Sequence, residues 1–213
     1  TVLAGDYIFA RAAGFAAETD NLPVVQLFAE TLRIIVEGEL RQLFSSRQWR
    51  QPKEAYYPRI FAKTASLFAS ATRSGAILGG ATPEQEQALY DYGKNLGMAF
   101  QIVDDLLDYA GDEATLGKPV GSDLRQGILT LPFFYYLQGH ANPPQVLATL
   151  ANDPGAQGNG SAGNERDPIG EIVAAYADPR PGDILLDAYC GAGLFALATL
   201  VLATVRPAER QSQ

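Results

Sequence analysis

The feature that most constrains this chain is a set of carboxylates on one side of an otherwise apolar helix. Residues 96–111 read LGMAFQIVDDLLDYAG. At about 100° of rotation per residue, Gln101, Asp104, Asp105 and Asp108 fall within an arc of roughly 100°. Carboxylates three and four residues apart repel one another, burial adds to the cost, and the last of them approaches the negative end of the helix dipole. We therefore expect a cation at this acidic stripe.

The type of ligand indicates the kind of cation. Carboxylate and amide oxygens, with no His or Cys nearby, suit a hard ion. Mg²⁺ is usually bound through one or two carboxylates together with a phosphate. Two other interpretations are a solvated acidic helix face and a structural Ca²⁺ site. Large apolar residues between the acids disfavour the first, and the absence of a loop that could surround the ion disfavours the second.

The same stretch resembles a known family. Gly97-Met-Ala-Phe-Gln-Ile-Val-Asp-Asp-Leu-Leu-Asp108, followed by Gly117-Lys-Pro-Val-Gly-Ser-Asp-Leu124, is similar to the second aspartate-rich motif and the lysine loop of the trans-prenyltransferases, the polyprenyl diphosphate synthases. The resemblance extends from Val2 to about Gln138. It implies an all-α fold, here part of the isoprenoid synthase helical bundle, and a Mg²⁺-dependent transferase of isoprenoid biosynthesis.

The resemblance also assigns roles to individual residues. It implies that Mg²⁺ is bound by Asp104, Asp105, Asp108 and Asp123, and that the oxygens of a diphosphate are held by Lys63, Thr64, Gln101 and Lys118. Without it, Lys63 could extend to the surface and Lys118 would be an ordinary solvated loop residue. A second family lysine is replaced by Ile128, which removes one predicted phosphate contact.

The implied reaction joins isopentenyl diphosphate to an allylic diphosphate. The family's first aspartate-rich motif and its isopentenyl-diphosphate-binding arginines are not in this sequence, so we expect the chain alone to be impaired. A non-catalytic, prenyl-synthase-like subunit that acts through helix packing is the alternative. A class I terpene cyclase is a third interpretation, although the acidic motif followed by a lysine loop suits chain elongation better. We expect a homodimer or heterodimer formed through the helical bundle.

Composition excludes several other classes of protein. A net charge of −8 disfavours a nucleic-acid-binding surface. One Cys and one His exclude a disulfide framework and a Cys/His zinc site, and they favour a reducing, cytoplasmic location. The longest apolar run, Leu194 to Val205, is too short to span a bilayer, so no transmembrane segment is expected.

The pattern of apolar residues predicts most helix positions. Helices are expected over 2–17, from about 25 to 43, over 54–78, from Pro83 to Gly111 after a Thr82 cap, and from about 129 to 138. Residues 112–126 are predicted to form a loop.

Three regions are expected along the chain. Residues 1–140 form the partial helical domain, 141–167 a flexible linker rich in Gly, Asn and Pro, and 168–213 a foreign βα fragment. Residues 183–195 resemble the first motif of S-adenosylmethionine-dependent RNA uracil-5 methyltransferases. Because one βα unit cannot form a sheet, we expect no folded domain and no methyl transfer from this segment.

Overall fold

The computed structural model describes residues 2–110 and 120–152, together with Ile169 and Ile172. Every regular element in these ranges is helical. The helices are α1 (Val2–Glu18), α2 (Leu22–Ser45), α3 (Tyr56–Ile60), α4 (Ser66–Leu78), α5 (Pro83–Ala110), α6 (Ser122–Arg125), α7 (Leu131–Gly139) and α8 (Pro143–Ala151). The strand expected in the βα fragment at 168–213, in the stretch 183–187, lies outside the described residues.

Caps fix the beginnings of the two longest helices. The Asn21 side chain accepts a hydrogen bond from the Val24 N–H and begins α2. At α5, Thr82 Oγ1 accepts from the Gln85 N–H, and Gln85 Oε1 accepts from the Thr82 N–H at 3.0 Å. This reciprocal arrangement is a capping box. The predicted start at Pro83 is confirmed, and α5 runs for 28 residues.

The predicted helix over 54–78 contains a local irregularity. A 3₁₀ turn (Lys53–Ala55) leads into α3, and a π-helical turn (Phe61–Ala65) joins α3 to α4. The residues at both junctions remain in the right-handed helical region, so the backbone is helical throughout. Because π-turns are rare and often occur at functional sites, the predicted diphosphate-binding residues Lys63 and Thr64 stand out on this one.

Small residues let α5 approach the π-turn and α4 closely. A Cβ atom at Gly97 would lie 2.5 Å from Ala65 Cα and 3.1 Å from Phe68 Cβ. One turn earlier, a Cβ at Gly93 would lie 2.5 Å from the Phe68 carbonyl oxygen. Because these neighbours include main-chain atoms, a larger side chain cannot be accommodated by rotamer changes alone. The close approach brings Thr64 within reach of the acidic stripe.

The main hydrophobic core lies at the C-terminal end of α5. Tyr56, Tyr109, Leu124, Leu129 and Phe133 are almost completely inaccessible and form its centre. They come from α3, α5, α6, the 126–130 connection and α7. The acidic stripe thus occupies the best-packed part of the described structure.

Part of the predicted linker is structured. Residues 143–151 form α8 within the segment 141–167, and Val146 and Leu150 pack into the core. Asn142 caps this helix, and Pro143 stands in its first turn, where a missing N–H costs nothing. Ile169 and Ile172, which fall in the predicted foreign fragment, are 3% and 4% exposed in the same core. The linker prediction is therefore wrong for 143–151, and these two isoleucines join the helical domain.

The first helix contrasts with this core. α1 has no buried residue, and where it contacts α2 the rings of Phe9 and Phe28 lie with their centroids 6.2 Å apart. Large apolar side chains on α1 face outwards, among them Leu3, which is 83% exposed. Among the described helices, none combines the length and apolar character that crossing a bilayer requires.

Candidate functional site

Three of the four polar residues of the acidic stripe are buried. Gln101, Asp105 and Asp108 are 6%, 4% and 0% exposed, whereas Asp104 is half-buried. The prediction that these side chains share one side of an otherwise apolar helix is consistent with this burial. A buried carboxylate requires hydrogen-bond donors or a counter-charge, and the structure supplies donors from α3 and α6 as well as from Gln101 on α5 itself.

Asp105 is held by two neutral side chains. The Tyr56 hydroxyl donates to Asp105 Oδ2 at 2.7 Å, and the Gln101 side-chain amide donates to Asp105 Oδ1 at 2.8 Å. Both oxygens of this carboxylate therefore have a protein donor. These two hydrogen bonds offset part of the cost of burying the Asp105 carboxylate without any bound ion.

Gln101 links Asp105 to its neighbour in sequence and to the π-turn. Its Nε2 also donates to Asp104 Oδ2 at 3.1 Å, while its Oε1 accepts from the Thr64 hydroxyl at 2.5 Å. Two carboxylates on one side of the amide require the NH₂ group there, since the carbonyl oxygen would repel both of them. Thr64, Gln101, Asp104 and Asp105, all singled out from the sequence, are thus joined in one hydrogen-bonded network.

Asp108 belongs to a second, separate arrangement. Its Oδ1 accepts from Ser122 Oγ at 2.9 Å, and its Oδ2 accepts from the Asp123 N–H at 3.1 Å. Its main-chain carbonyl accepts from the Gly121 N–H at 2.6 Å. Asp108 therefore binds the N-terminal turn of α6 and fixes it against α5. This explains why residues 122–125 form a short helix where the sequence predicts a loop.

The electrostatics of Asp105 reflect competing effects. Burial raises the pKa of its carboxyl group, and the adjacent Asp104 acts in the same direction. Hydrogen bonds from Gln101 and Tyr56 and the positive charge of Arg59 oppose this rise. Burial also raises the pKa of the Tyr56 hydroxyl, and the charge on Asp105 adds to that effect. Tyr56 is consequently a neutral donor at physiological pH.

Arg59 places a cation beside this network. Its guanidinium lies 5.6 Å from the centre of the Tyr56 ring and donates to the Leu129 carbonyl oxygen. Burial lowers the pKa of Arg59, while the negative charges of Asp105 and Asp123 act in the opposite direction. A guanidinium is so strongly basic that the group remains charged despite this lowering. Arg59 therefore supplies, from the protein itself, one of the positive charges expected near the acidic stripe.

The remaining predicted residues lie outside the hydrogen-bonded network around Gln101. Lys63 is exposed on the π-turn beside Thr64, and Asp123 is half-buried in α6, joined to Asp108 through its main-chain N–H. Lys118 lies outside the described residues. Within the described ranges, no group of three or more His, Cys, Asp or Glu side chains is arranged as a metal site.

The donor set still has the chemistry that Mg²⁺ requires. Its ligands are oxygens, and Mg²⁺ normally takes only one or two carboxylates from the protein and completes its shell with water and phosphate. Asp104 is half-buried and has a single hydrogen bond from Gln101 among the contacts described above. It is therefore the carboxylate of the stripe best suited to meet an ion at the edge of the bundle.

Sequence reasoning missed three contributors to this site, namely Tyr56, Arg59 and Ser122. Tyr56 lies seven residues before Lys63, about two helical turns away, so the two residues lie on the same side of the predicted helix. A tyrosine hydroxyl on a helix face that is otherwise apolar was the signal that could have identified it. Nothing in the sequence identifies Asp105 as its partner. The pairing depends on how two helices that are 49 residues apart cross.

Comparisons with known proteins identify the family of the chain. The family model "Polyprenyl synthetase" matches residues 1–160. The chain is 42% identical over 160 residues to the octaprenyl diphosphate synthase of Escherichia coli (strain K12), covering 75% of this chain and 49% of that protein. It is 37% identical over 154 residues to the solanesyl diphosphate synthase 3 of Arabidopsis thaliana, covering 72% and 36% of the two proteins.

Solved structures give the same result. A polyprenyl synthase from Caulobacter crescentus CB15, in complex with calcium and isoprenyl diphosphate, superposes with a TM-score of 0.69 at 32% identity, covering 95% of this chain and 56% of that one. A decaprenyl diphosphate synthase from Rhodobacter capsulatus gives a TM-score of 0.68 at 33% identity, with the same two coverages. The chain spans between about a third and a half of the length of the curated relatives that it matches. By sequence and by its isoprenoid synthase helical fold, the chain belongs to the polyprenyl synthetase family.

Proposed function

We propose that this chain supplies the leaving-group part of a prenyltransferase site that condenses an allylic diphosphate with isopentenyl diphosphate. The observation that carries the proposal is the network in which Gln101 connects Thr64 to Asp104. It places a half-buried carboxylate and a hydroxyl from two different helical segments on one amide. The names of the relatives, which are octaprenyl and solanesyl diphosphate synthases, support this reaction class.

In this proposal each residue has a defined task. Asp104 leads the metal ligands, with Asp105, Asp108 and Asp123 in the supporting roles that the sequence predicts. When bound, Mg²⁺ would neutralise charge on the departing diphosphate. Lys63, Thr64, Gln101 and Lys118 hold diphosphate oxygens, and the Thr64 hydroxyl would exchange its bond to Gln101 for one to phosphate. Preorganised donors of this kind stabilise the charge that develops as the C–O bond breaks.

Binding of Mg²⁺ with inorganic pyrophosphate tests this proposal by titration calorimetry. We expect the 213-residue chain to bind pyrophosphate only with Mg²⁺ present, and Asp104→Ala to weaken that binding at least tenfold. Asp91→Ala is the matched control, because this carboxylate lies exposed on the same helix and contacts only Gln87 in the hydrogen bonds described. Equal binding by the unsubstituted chain and by Asp104→Ala would contradict the proposal. Incorporation of radiolabelled isopentenyl diphosphate then measures how much turnover the chain supports.

A structural observation favours an assembly with a second copy or a related subunit. Val2, Leu3, Ile8 and Phe15 on α1 are 55–83% exposed, and a concentration of exposed apolar side chains on one element often meets another protein. We propose that this surface forms a dimer interface, either with the same chain or with a catalytic partner for which the chain is a packing subunit. Sedimentation equilibrium of the chain and of Leu3→Glu tests the interface with a second copy, and a monomer in both samples would contradict that alternative and leave the interface with a different partner. The cytoplasmic location indicated by the cysteine content remains a prediction.

A further inference from the structure

The function proposed above does not use Tyr56, although this residue is unusually well placed. Its side chain is completely inaccessible, and its hydroxyl donates to Asp105 at 2.7 Å. Tyr56 is therefore too deep to meet a substrate or an ion. Any influence it has on the site must pass through Asp105.

The contacts of Asp105 show what that influence would be. Asp105 shares the Gln101 NH₂ group with Asp104, at 2.8 Å and 3.1 Å respectively. A carboxylate fixed at both oxygens, by Tyr56 on one side and by Gln101 on the other, holds the amide in a single orientation. The amide in turn sets the position of the Asp104 carboxylate.

We propose that Tyr56 is a positioning residue, which acts through Asp105 and Gln101 to hold Asp104 in the orientation that binds a metal–diphosphate complex. This inference rests on the proposed function. Tyr56 comes from α3, whereas Asp105, Gln101 and Asp104 come from α5, so the network also links the relative position of the two helices to the geometry of the site. Residues that orient metal ligands commonly change metal affinity 10- to 100-fold when they are altered.

Titration calorimetry of the 213-residue chain, with Mg²⁺ and inorganic pyrophosphate as the probe, provides the main test. Tyr56→Phe removes the hydroxyl and keeps the ring, and we expect it to weaken Mg²⁺-dependent pyrophosphate binding about 10- to 100-fold. Ile60→Val is the matched control. It lies one turn further along α3, is 3% exposed in the same core, and has no part in the network. Its affinity should stay within twofold of the unsubstituted chain.

A double-mutant cycle separates positioning from a general loss of packing. If Tyr56 acts through Asp105, then Tyr56→Phe combined with Asp105→Asn should bind no more weakly than Asp105→Asn alone. Additive losses would overturn the proposed route. If Tyr56→Phe does not fold, Asp105→Asn by itself must show the expected weakening, and unchanged affinity in that variant would overturn the inference.

A second readout distinguishes failure of this inference from failure of the proposed function. The ¹⁵N-labelled side-chain amide of Gln101 reports the network directly by NMR. We expect its resonances to shift in Tyr56→Phe and to stay in place in Ile60→Val. If the unsubstituted chain binds no pyrophosphate, the proposed function is overturned, and with it the role of Tyr56 in binding. The shift of the Gln101 amide then decides whether the network itself exists. If pyrophosphate binds equally well to the unsubstituted chain and to Tyr56→Phe, only the inference fails.

Discussion

Replacing Gly97 by Ala should destabilise the fold, although the same substitution at Gly75 should stabilise it. At Gly97 the new Cβ would lie 2.5 Å from Ala65 Cα and 3.0 Å from Ala65 Cβ, so the backbones of α5 and the π-turn must separate. Overpacking of this kind costs about 1–3 kcal/mol. At Gly75, on α4, nothing lies within 4 Å of the added methyl group. There the gain in helix propensity over Gly, about 0.5–1 kcal/mol, should appear undiminished.

The propensity gain also acts at Gly97, so the expected net destabilisation there is about 0–2.5 kcal/mol, from the overpacking cost less the helix gain. The two variants should therefore differ in the free energy of unfolding by about 1–3 kcal/mol, because the shared helix gain cancels. Urea denaturation followed by circular dichroism measures this difference. Because Gly97 lies one turn before Gln101, Gly97→Ala should also lengthen the Thr64–Gln101 hydrogen bond. Equal or greater stability of Gly97→Ala than of Gly75→Ala would refute the close-packing argument.

Three further predictions concern the caps and the buried network. Because the pKa of Tyr56 is raised, the stability that its neutral hydroxyl contributes should be fully present below about pH 10 and lost as the pH rises beyond it. In denaturant titrations the stability advantage over Tyr56→Phe should stay constant up to about pH 10 and shrink above it, and an advantage that stays constant above about pH 10 would contradict the shift. Asp108→Asn should place an amide donor against the donors Ser122 Oγ–H and Asp123 N–H, which lowers the free energy of unfolding by about 1–3 kcal/mol. It should also accelerate hydrogen exchange at the Asp123 amide, and unchanged exchange there would contradict the hydrogen bonds that join Asp108 to α6. Thr82→Ala should lower thermal stability by about 1 kcal/mol through loss of the α5 cap, measured by calorimetry, whereas no loss would show that the cap is dispensable.

The sequence predicts the long helices well because their boundaries have local causes. Asn21 and Thr82 supply caps, and apolar residues recur at helical spacing between them and the next break. α8 is missed because residues 141–167 are predicted as one flexible linker from their Gly, Asn and Pro content, whereas Asn142-Pro-Pro is a cap followed by prolines in the first turn of a helix. A linker and a capped helix differ here in whether the residues that follow pack into a hydrophobic core, and Val146 and Leu150 do so.

The sequence predicts which α5 residues form the candidate site, but it does not predict the contacts that they make. Helical spacing placed Gln101, Asp104, Asp105 and Asp108 on one stripe, and their burial follows from the apolar surroundings. The expectation that a cation must satisfy all the acids was too narrow, because neutral donors from Tyr56 and Ser122 satisfy two of them. Such donors come from segments distant in sequence, and their arrival depends on helix crossing rather than on any local pattern. The metal-binding roles themselves remain predictions.

The π-turn has a consequence for how the chain tolerates length changes. Tyr56 and Thr64 are eight residues apart, and a uniform α-helix would leave them about 80° out of line. Each residue of the wider turn rotates less, which brings both hydroxyls towards the same neighbouring helix, where they meet side chains one turn apart. Deleting Phe61 or Ala62 would leave Tyr56 and Thr64 seven residues apart, which on a regular α-helix is only about 20° short of two full turns, so both hydroxyls would still face α5. An inserted residue would add a further rotation of about 100° and turn one hydroxyl away, so the segment should accept a one-residue deletion more readily than a one-residue insertion.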